Sequence, residues 1–198
     1  MSAVMSAPRT GLFEVIRHRR SVGQVTQEEP AREQIERLLE AATYAPSHHV
    51  TEPWHFFVLT GAARERFGDV MATALQAQME GVLDDKAQVR LWKERNKALR
   101  APVIIVVTIP KARQLEGDLL ENIEAAAAAV QNMLLAAEEM GLAAIWRTGD
   151  TAYNPVVKRW FGLAPDDHIV GFIYVGFPKL TRPMRVPTHF SLKTTWLS

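Results

Sequence analysis

Two groups of arginines lie far apart in the sequence, and both have the chemistry to bind an anion. The first is RHRRS, residues 17–21, and the second is TRPMRVP, which contains Arg182 and Arg185. Guanidinium groups donate paired hydrogen bonds that match a phosphate, and the hydroxyl of Ser21 adds another donor. The formal net charge is only +1, so the chain lacks the strong positive charge typical of nucleic-acid-binding proteins. The clusters therefore indicate a small phosphorylated ligand, with a solvated helix end as the alternative for RHRRS.

The segment IWRTGD, residues 145–150, could place three kinds of binding group around one ligand. Trp146 and Arg147 leave a predicted strand and enter a turn at Gly149, which offers an aromatic face, a cation and free backbone amides. Packing in the hydrophobic core is the alternative for Trp146, because large aromatic side chains are usually well buried. Together with the arginine clusters, this segment predicts a site for a phosphorylated flat ring.

The segment APSHHVTEPWHFFVLTG, residues 45–61, connects a predicted helix to a predicted strand. Pro53 is expected to hold Glu52 extended, since a proline disfavours helical geometry in the residue before it. Three histidines in this segment could form a metal set: His48, His49 and His55. A catalytic metal site needs three well-placed ligands with supporting partners, and no carboxylate stands out beside these residues. We therefore expect no metal site and interpret His55 as a packed strand residue.

The sequence excludes several common kinds of active site. It contains no G-x-G-x-x-G after a strand, no G-x-x-x-x-G-K-[ST], no H-E-x-x-H and no G-x-S-x-G. The absence of cysteine rules out disulfides, a thiol nucleophile and thiolate-bound clusters. The longest apolar run, Val103–Ile109, is too short to cross a bilayer, and the N-terminus lacks the order of a signal peptide. We therefore expect a cytoplasmic protein with no nucleic-acid or membrane partner.

Predicted helices and strands alternate along the chain, which indicates a sheet with helices on both faces. Apolar residues at helical spacing predict helices within residues 12–20, 30–45, 67–75, 84–100, 119–141 and 154–162. β-Branched and apolar runs predict strands at residues 54–60, 103–109, 143–146 and 169–175. A length of 198 residues fits one domain, residues 1–198, with a flexible N-terminus at residues 1–10.

The order of these segments resembles the nitroreductase family of FMN flavoproteins. The similarity covers residues 12–185 and lies in RRS, APSHHVTEPWHFFVL, PVIIVVTIP, the alanine-rich helix, IWRTG and VGFIYVGFP. It is closest to the compact bacterial branch of NAD(P)H nitroreductases. The resemblance implies an α+β, nitroreductase-like fold with a central mixed sheet flanked by helices. It also implies a homodimer with FMN at the subunit interface.

The resemblance also implies which residues bind FMN. They are Arg19, Arg20, Ser21, Tyr44, His48, Trp146, Arg147, Thr148 and Arg185. Tyr44 and His48 match the loop that reaches the flavin from the other subunit. Many relatives carry a basic residue where this chain has Gly23, close to the flavin atoms that gain negative charge on reduction. Arg147 is our first choice for an electrostatic replacement, with Arg20 or a protonated His48 as alternatives.

The function implied by the resemblance is an FMN-dependent NAD(P)H oxidoreductase. NADH or NADPH would reduce the flavin, and a nitroaromatic, quinone or similar acceptor would reoxidise it in a ping-pong cycle through one site. The flavin performs the redox step, so no catalytic side chain is expected. Alternatives are another redox use of the fold, such as a dehydrogenase, a dehalogenase or flavin fragmentation, and a flavin-binding or sensor protein without turnover.

Overall fold

The computed structural model describes residues 11–79, 84–111 and 118–198, and the predicted flexible N-terminus lies outside them. The helices of these ranges are α1 (Leu12–His18), α2 (Arg32–Thr43), α3 (Gly61–Gln76), α4 (Asp85–Arg95), α5 (Leu119–Glu139), α6 (Asp150–Tyr153) and α7 (Pro155–Trp160). The strands are β1 (His55–Leu59), β2 (Val103–Ile109), β3 (Ala143–Arg147) and β4 (His168–Gly176). Short 3-10 helices cover His48–Val50, Asn96–Leu99 and Phe190–Lys193.

The four strands form one sheet in the order β1-β2-β4-β3, and every neighbouring pair is antiparallel. The connections explain this pairing. Two consecutive helices separate β1 from β2 and β3 from β4, so the chain re-enters the sheet at the end where it left. The single helix α5 makes β2 and β3 run parallel, but β4 lies between them. The α+β class is therefore confirmed, whereas the parallel pairing expected of a mixed sheet is limited, in the described ranges, to an isolated bridge between Ser21 and Ala144.

Strand β2 is buried on both faces, as its continuous apolar run predicts, and it divides the core into two clusters. Val103, Ile105 and Val107 face one cluster, which contains the inward sides of α2 and α5. Ile104 and Val106 face the other, which contains α3 and α7. Because side chains alternate along a strand, neighbouring residues of one strand contribute to different faces of the protein. This alternation decides which candidate site residues can meet.

The predicted helices are present, but the apolar residues that predicted α1 are not buried. Its apolar residues Leu12, Phe13 and Ile16 are exposed, and Val15 is the buried residue of this helix. Asn154 caps α7 as predicted, since its side chain accepts a hydrogen bond from the Val156 amide at 2.8 Å. No helix in the described part of the chain is long and apolar enough to span a membrane.

Candidate functional site

The chain segment after α1 is fixed along the edge of the sheet, and it carries the first arginine cluster. Its backbone joins β3 through the Val22 amide, which donates to the Ala144 carbonyl at 3.1 Å. It joins the tail that follows β4 through Thr26, which donates to Phe177 at 2.8 Å, and through the Lys179 amide, which donates to Gln24 at 3.1 Å. The segment is therefore held between β3 and the C-terminal tail.

Arg20 connects the two arginine clusters. Its Nε donates to the Pro183 carbonyl at 3.0 Å, and its Nη1 donates to the carbonyls of Arg17 and Arg19 at 3.1 and 2.8 Å. The remaining nitrogen, Nη2, is buried and has no hydrogen-bond partner among the described residues. A cavity of about 100 Å³ beside Arg20 is also lined by Arg182. The structure thus brings the two clusters together and leaves a buried donor that an anion could satisfy.

Arg19 differs from Arg20 in its contacts. In the described ranges, its side chain has no ion pair or hydrogen bond, and it is only partly buried. Ser21 is exposed beside it, and Arg185 is exposed on the tail beyond Pro183. Arg20 therefore stabilises the local structure through three carbonyls, whereas Arg19 retains all of its donors for a ligand.

Arg147, the last residue of β3, lies against Gly23 and Tyr174. A Cβ built on Gly23 would be 3.1 Å from Arg147 Nη2, so the guanidinium uses space that a side chain at position 23 would need. Its Cζ is 5.8 Å from the centroid of the Tyr174 ring, within the range of a cation–π contact. The structure therefore places Arg147 next to Gly23, the position for which the sequence predicts that a cation is supplied from elsewhere.

Trp146 lies on the opposite face of β3 from Arg147. Its indole Nε1 donates to the Val170 carbonyl at 3.2 Å, and the ring packs over Gly171, where a Cβ would clash with it. Trp146 also packs against the core cluster of α2 and α5. These contacts support core packing for Trp146, and strand alternation prevents its ring from sharing a face with the Arg147 guanidinium.

The turn after β3 is open to solvent. Thr148 is exposed, and Gly149 has φ 105°, a backbone conformation that other residues rarely adopt. The turn borders a cavity of about 300 Å³ that is also lined by Met71 and Leu75 of α3. Thr148 is therefore accessible to a ligand.

The loop between α2 and β1 holds Tyr44 and His48 in exposed positions. The Tyr44 side chain is 78% exposed, and no hydrogen bond or ring contact joins either residue to Arg19 or Arg147 within the described ranges. The loop has a constrained backbone, since three non-glycine residues within four positions have positive φ: His49 at 49°, Val50 at 55° and Glu52 at 43°. The described part of this chain therefore shows no contact between these two residues and the arginine cluster.

The prediction that Pro53 holds Glu52 extended is wrong, because the φ of Glu52 is positive. The Glu52 amide donates to the Ser47 hydroxyl at 3.1 Å, which closes the loop and favours this conformation. His48 and His49 lie edge to face with ring centroids 4.0 Å apart, and His55 packs at 4.8 Å from Phe57. The described residues contain no group of three acidic, histidine or cysteine side chains that could hold a metal ion.

Sequence reasoning missed Tyr174, which contacts Arg147. Burial raises the pKa of the Tyr174 phenol to about 12, and the positive charges of Arg100 and Arg147 partly oppose this shift. The side chain therefore remains a neutral aromatic ring at physiological pH. A sequence signal was present, because Tyr174 carries the only hydroxyl in the apolar run VGFIYVGF. Its contact with Arg147 depends on strand register, which the sequence did not provide.

The known proteins that resemble this chain in sequence and those that resemble it in fold are both described as nitroreductases or nitroreductase-like. Residues 16–177 match the sequence model of the Nitroreductase family. "Putative NAD(P)H nitroreductase YdjA" of Escherichia coli K12 is 38% identical over 168 residues, which cover 85% of this chain and 88% of that protein. The crystal structure of the nitroreductase-like family protein from Bacillus cereus has a TM-score of 0.82 at 26% identity and covers 97% of this chain and 98% of that one.

The fold also matches NfnB from Mycobacterium smegmatis, an FMN-dependent nitroreductase whose structure was solved in complex with NADPH. The TM-score is 0.72 and the identity is 20%, with 94% of this chain and 97% of that chain covered. At this identity the likeness concerns the fold.

Proposed function

Because this chain belongs to the nitroreductase family, we propose that it is an FMN-dependent NAD(P)H oxidoreductase. The proposed acceptors are nitroaromatic compounds, quinones or similar small molecules, reduced by ping-pong hydride transfer through one site. The name of the relative from Escherichia coli supports a nicotinamide donor and a nitro acceptor. The FMN dependence of NfnB, which shares the fold, supports the cofactor.

The observation that carries this proposal is the buried Nη2 of Arg20, which lacks a partner among the described residues. A buried donor without an acceptor is costly, and a phosphate oxygen would remove that cost. Arg182 lines the same cavity, as does Glu138, and Arg19 retains its donors nearby along the chain. The residues present therefore fit the phosphate of FMN.

The proposed site residues make three kinds of interaction with FMN. Arg19 and Arg20 bind the phosphate, Ser21 and Thr148 offer hydroxyl donors, and Arg147 stabilises the negative charge that develops on reduction. FMN, when bound, supplies the hydride acceptor and donor of the reaction. The protein then needs only to position the cofactor, admit the substrates and compensate charge, and no side chain is assigned as a nucleophile.

The functional unit is proposed to be a homodimer in which Tyr44 and His48 of one protomer complete the site of the other. Apolar side chains are exposed on α1, with Phe13 at 74%, and on the tail, with Val186 at 92% and Trp196 at 85%. Large exposed apolar surfaces are unusual for a monomer and typical of an interface. A second copy is the proposed occupant, because the tail leaves the sheet and packs few of its side chains against its own chain.

The absorption spectrum of the purified protein tests the cofactor directly, and oxidised flavin bands are expected. Cofactor released by heat should run with FMN in chromatography, and FAD or haem instead would contradict the proposal. Steady-state oxidation of NADH and NADPH should then depend on an added nitroaromatic or quinone. A slow rate that is independent of the acceptor would favour a flavin-binding or sensor protein over an enzyme.

A further inference from the structure

Arg147 is a partly buried cation that no carboxylate neutralises in the part of the chain that the structure describes. Its guanidinium lies over the ring of Tyr174 and beside Gly23. A long side chain without an ion pair samples many rotamers unless packing restrains it. The Tyr174 ring and the neighbouring Gly23 therefore restrain the position of the Arg147 guanidinium.

The Tyr174 ring is a fixed platform beneath this charge. Tyr174 lies opposite Ile145 in the register of β3 and β4, so Arg147, two residues further along the same face, is its diagonal neighbour. The ring is only 5% exposed and belongs to the same buried cluster as Ile104 and Phe172. Core packing holds the ring, and the ring face attracts the guanidinium.

Gly23 leaves room for the guanidinium on the edge segment. A Cβ at this position would lie 3.1 Å from Arg147 Nη2 and 3.8 Å from Ile145 Cδ1. The first distance is tighter than ordinary van der Waals contact, so any side chain would require the guanidinium to move. The absence of a side chain at Gly23 therefore leaves space for the guanidinium of Arg147, and the ring of Tyr174 attracts the guanidinium into that space.

Among the described residues, no ion pair competes for the guanidinium of Arg147. Arg100 and Lys179 line an open cavity of about 450 Å³ together with Gly23, and both are cationic. Glu94, the acidic residue that influences Tyr174, pairs with Lys97 at 2.5 Å. The ring of Tyr174 is thus the main electrostatic attraction that Arg147 has within the described ranges.

We propose that Tyr174 is a positioning residue, which holds the guanidinium of Arg147 through a cation–π contact at the place where it stabilises the reduced flavin. The inference rests on the proposed function, since it assigns a task to a residue that does not itself touch the cofactor. It predicts that the midpoint potential of bound FMN depends on the negative electrostatic potential of the Tyr174 ring face, and not only on the size of the ring.

Replacing Tyr174 with phenylalanine and its 4-fluoro, 3,5-difluoro and 3,4,5-trifluoro derivatives by nonsense suppression tests this directly. Each fluorine weakens the negative potential of the ring face while the shape is nearly conserved, so folding is preserved. The FMN-loaded proteins are then titrated potentiometrically, and the dissociation constant of oxidised FMN is measured in parallel. We expect Tyr174→Phe to retain the wild-type potential and the potential to fall stepwise with fluorine number toward that of Arg147→Ala.

The same series in the Arg147→Ala protein is the decisive control, because no trend is expected once the guanidinium is absent. Equivalent replacements at Tyr153, which is 65% exposed and contacts the His168 ring, should also leave the potential unchanged. The inference alone would be overturned if fluorination left the midpoint potential unchanged while Arg147 is present. It would also be overturned if the potential fell with fluorination in the Arg147→Ala protein. Protein that binds no FMN would overturn the proposed function and this inference with it.

Discussion

Arg20 donates from its Nε to the carbonyl oxygen of Pro183 at 3.0 Å, across 163 positions of sequence. This hydrogen bond holds the tail at Pro183 beside the end of α1, in addition to the backbone hydrogen bonds at Phe177 and Lys179. It also brings the two arginine clusters to one cavity, where Arg182 joins Arg20. The proposed anion site and the position of the tail are therefore coupled through the side chain of Arg20.

Arg19→Ala and Arg20→Ala should weaken FMN binding for different reasons. Each removes charge-assisted hydrogen bonds of about 1.5–3 kcal/mol, which corresponds to roughly a tenfold to hundredfold increase in the dissociation constant. Only Arg20→Ala also releases the tail from Pro183, so it should accelerate proteolysis of the tail. Fluorimetric FMN titration at several salt concentrations, with limited proteolysis alongside, measures both effects.

Arg32→Ala is the matched control, because this arginine is exposed and pairs with Glu36 on α2. It should change neither FMN binding nor proteolysis of the tail. Unchanged FMN retention in both Arg19→Ala and Arg20→Ala would identify the cluster as a solvated helix end.

Trp196→Ser should weaken the dimer, since this side chain is 85% exposed on the tail of one protomer and is proposed to be covered by a second copy. Analytical ultracentrifugation across a dilution series should show dissociation at a concentration at least tenfold higher than for the wild type, with FMN released in step. Trp92→Ser on α4, where the ring is 64% exposed, serves as the control and should not change the dimer. A wild-type monomer that is fully active and loaded with FMN would refute the assembly.

Arg147→Ala should lower the FMN midpoint potential and slow reduction by NAD(P)H more than it weakens FMN binding, because the lost interaction is stronger in the reduced state. A loss of about 1.5–3 kcal/mol corresponds to about 30–65 mV for a two-electron couple. Adding Gly23→Lys to this variant should restore part of the potential, because a Cβ at Gly23 lies 3.1 Å from the missing guanidinium. A potential equal to wild type in Arg147→Ala would remove Arg147 from the mechanism.

His168 should make the protein less stable in mild acid. Burial and the positive charge of Lys158 lower the pKa of His168 below its usual 6.5, so the folded state resists protonation more than the unfolded state does. Stability is therefore retained above about pH 6.5 and decreases as the pH falls from there toward the folded-state pKa. Thermal unfolding midpoints between pH 5 and 7.5 should decline less steeply in His168→Gln than in the wild type.

His189→Gln is the control for this comparison, since His189 is exposed on the tail and hydrogen-bonds locally to Ser191. It should follow the wild-type pH profile. A His168→Gln profile that parallels the wild type would mean that other groups cause the acid sensitivity.

Local patterns in the sequence predicted the four strands and six of the seven helices in the described ranges, but not the short helix α6 or the backbone conformation of Glu52. The continuous run of Val103–Ile109 predicted a strand buried on both faces, and the spacing of Ile35, Leu38 and Ala42 predicted the buried side of α2. Both succeed because burial leaves a local pattern: a strand covered on both faces is continuously apolar, and a helix buried on one side is apolar at helical spacing. The order of the motifs likewise indicated the nitroreductase family, which the family match confirms. A single domain over residues 1–198 and a cytoplasmic location stay predictions from the sequence.

The sequence by itself determined the elements, the family and the residue types available for an anion site. The tertiary structure decided the antiparallel pairing, the separation of Trp146 and Arg147 onto opposite faces, and the contact of Arg147 with Gly23 and Tyr174. Helical and strand periods extend over a few residues, whereas these relationships join segments that meet only through strand register and packing. Strand register depends on which strands pair and on which face of each strand is buried, so no single segment of the sequence determines it.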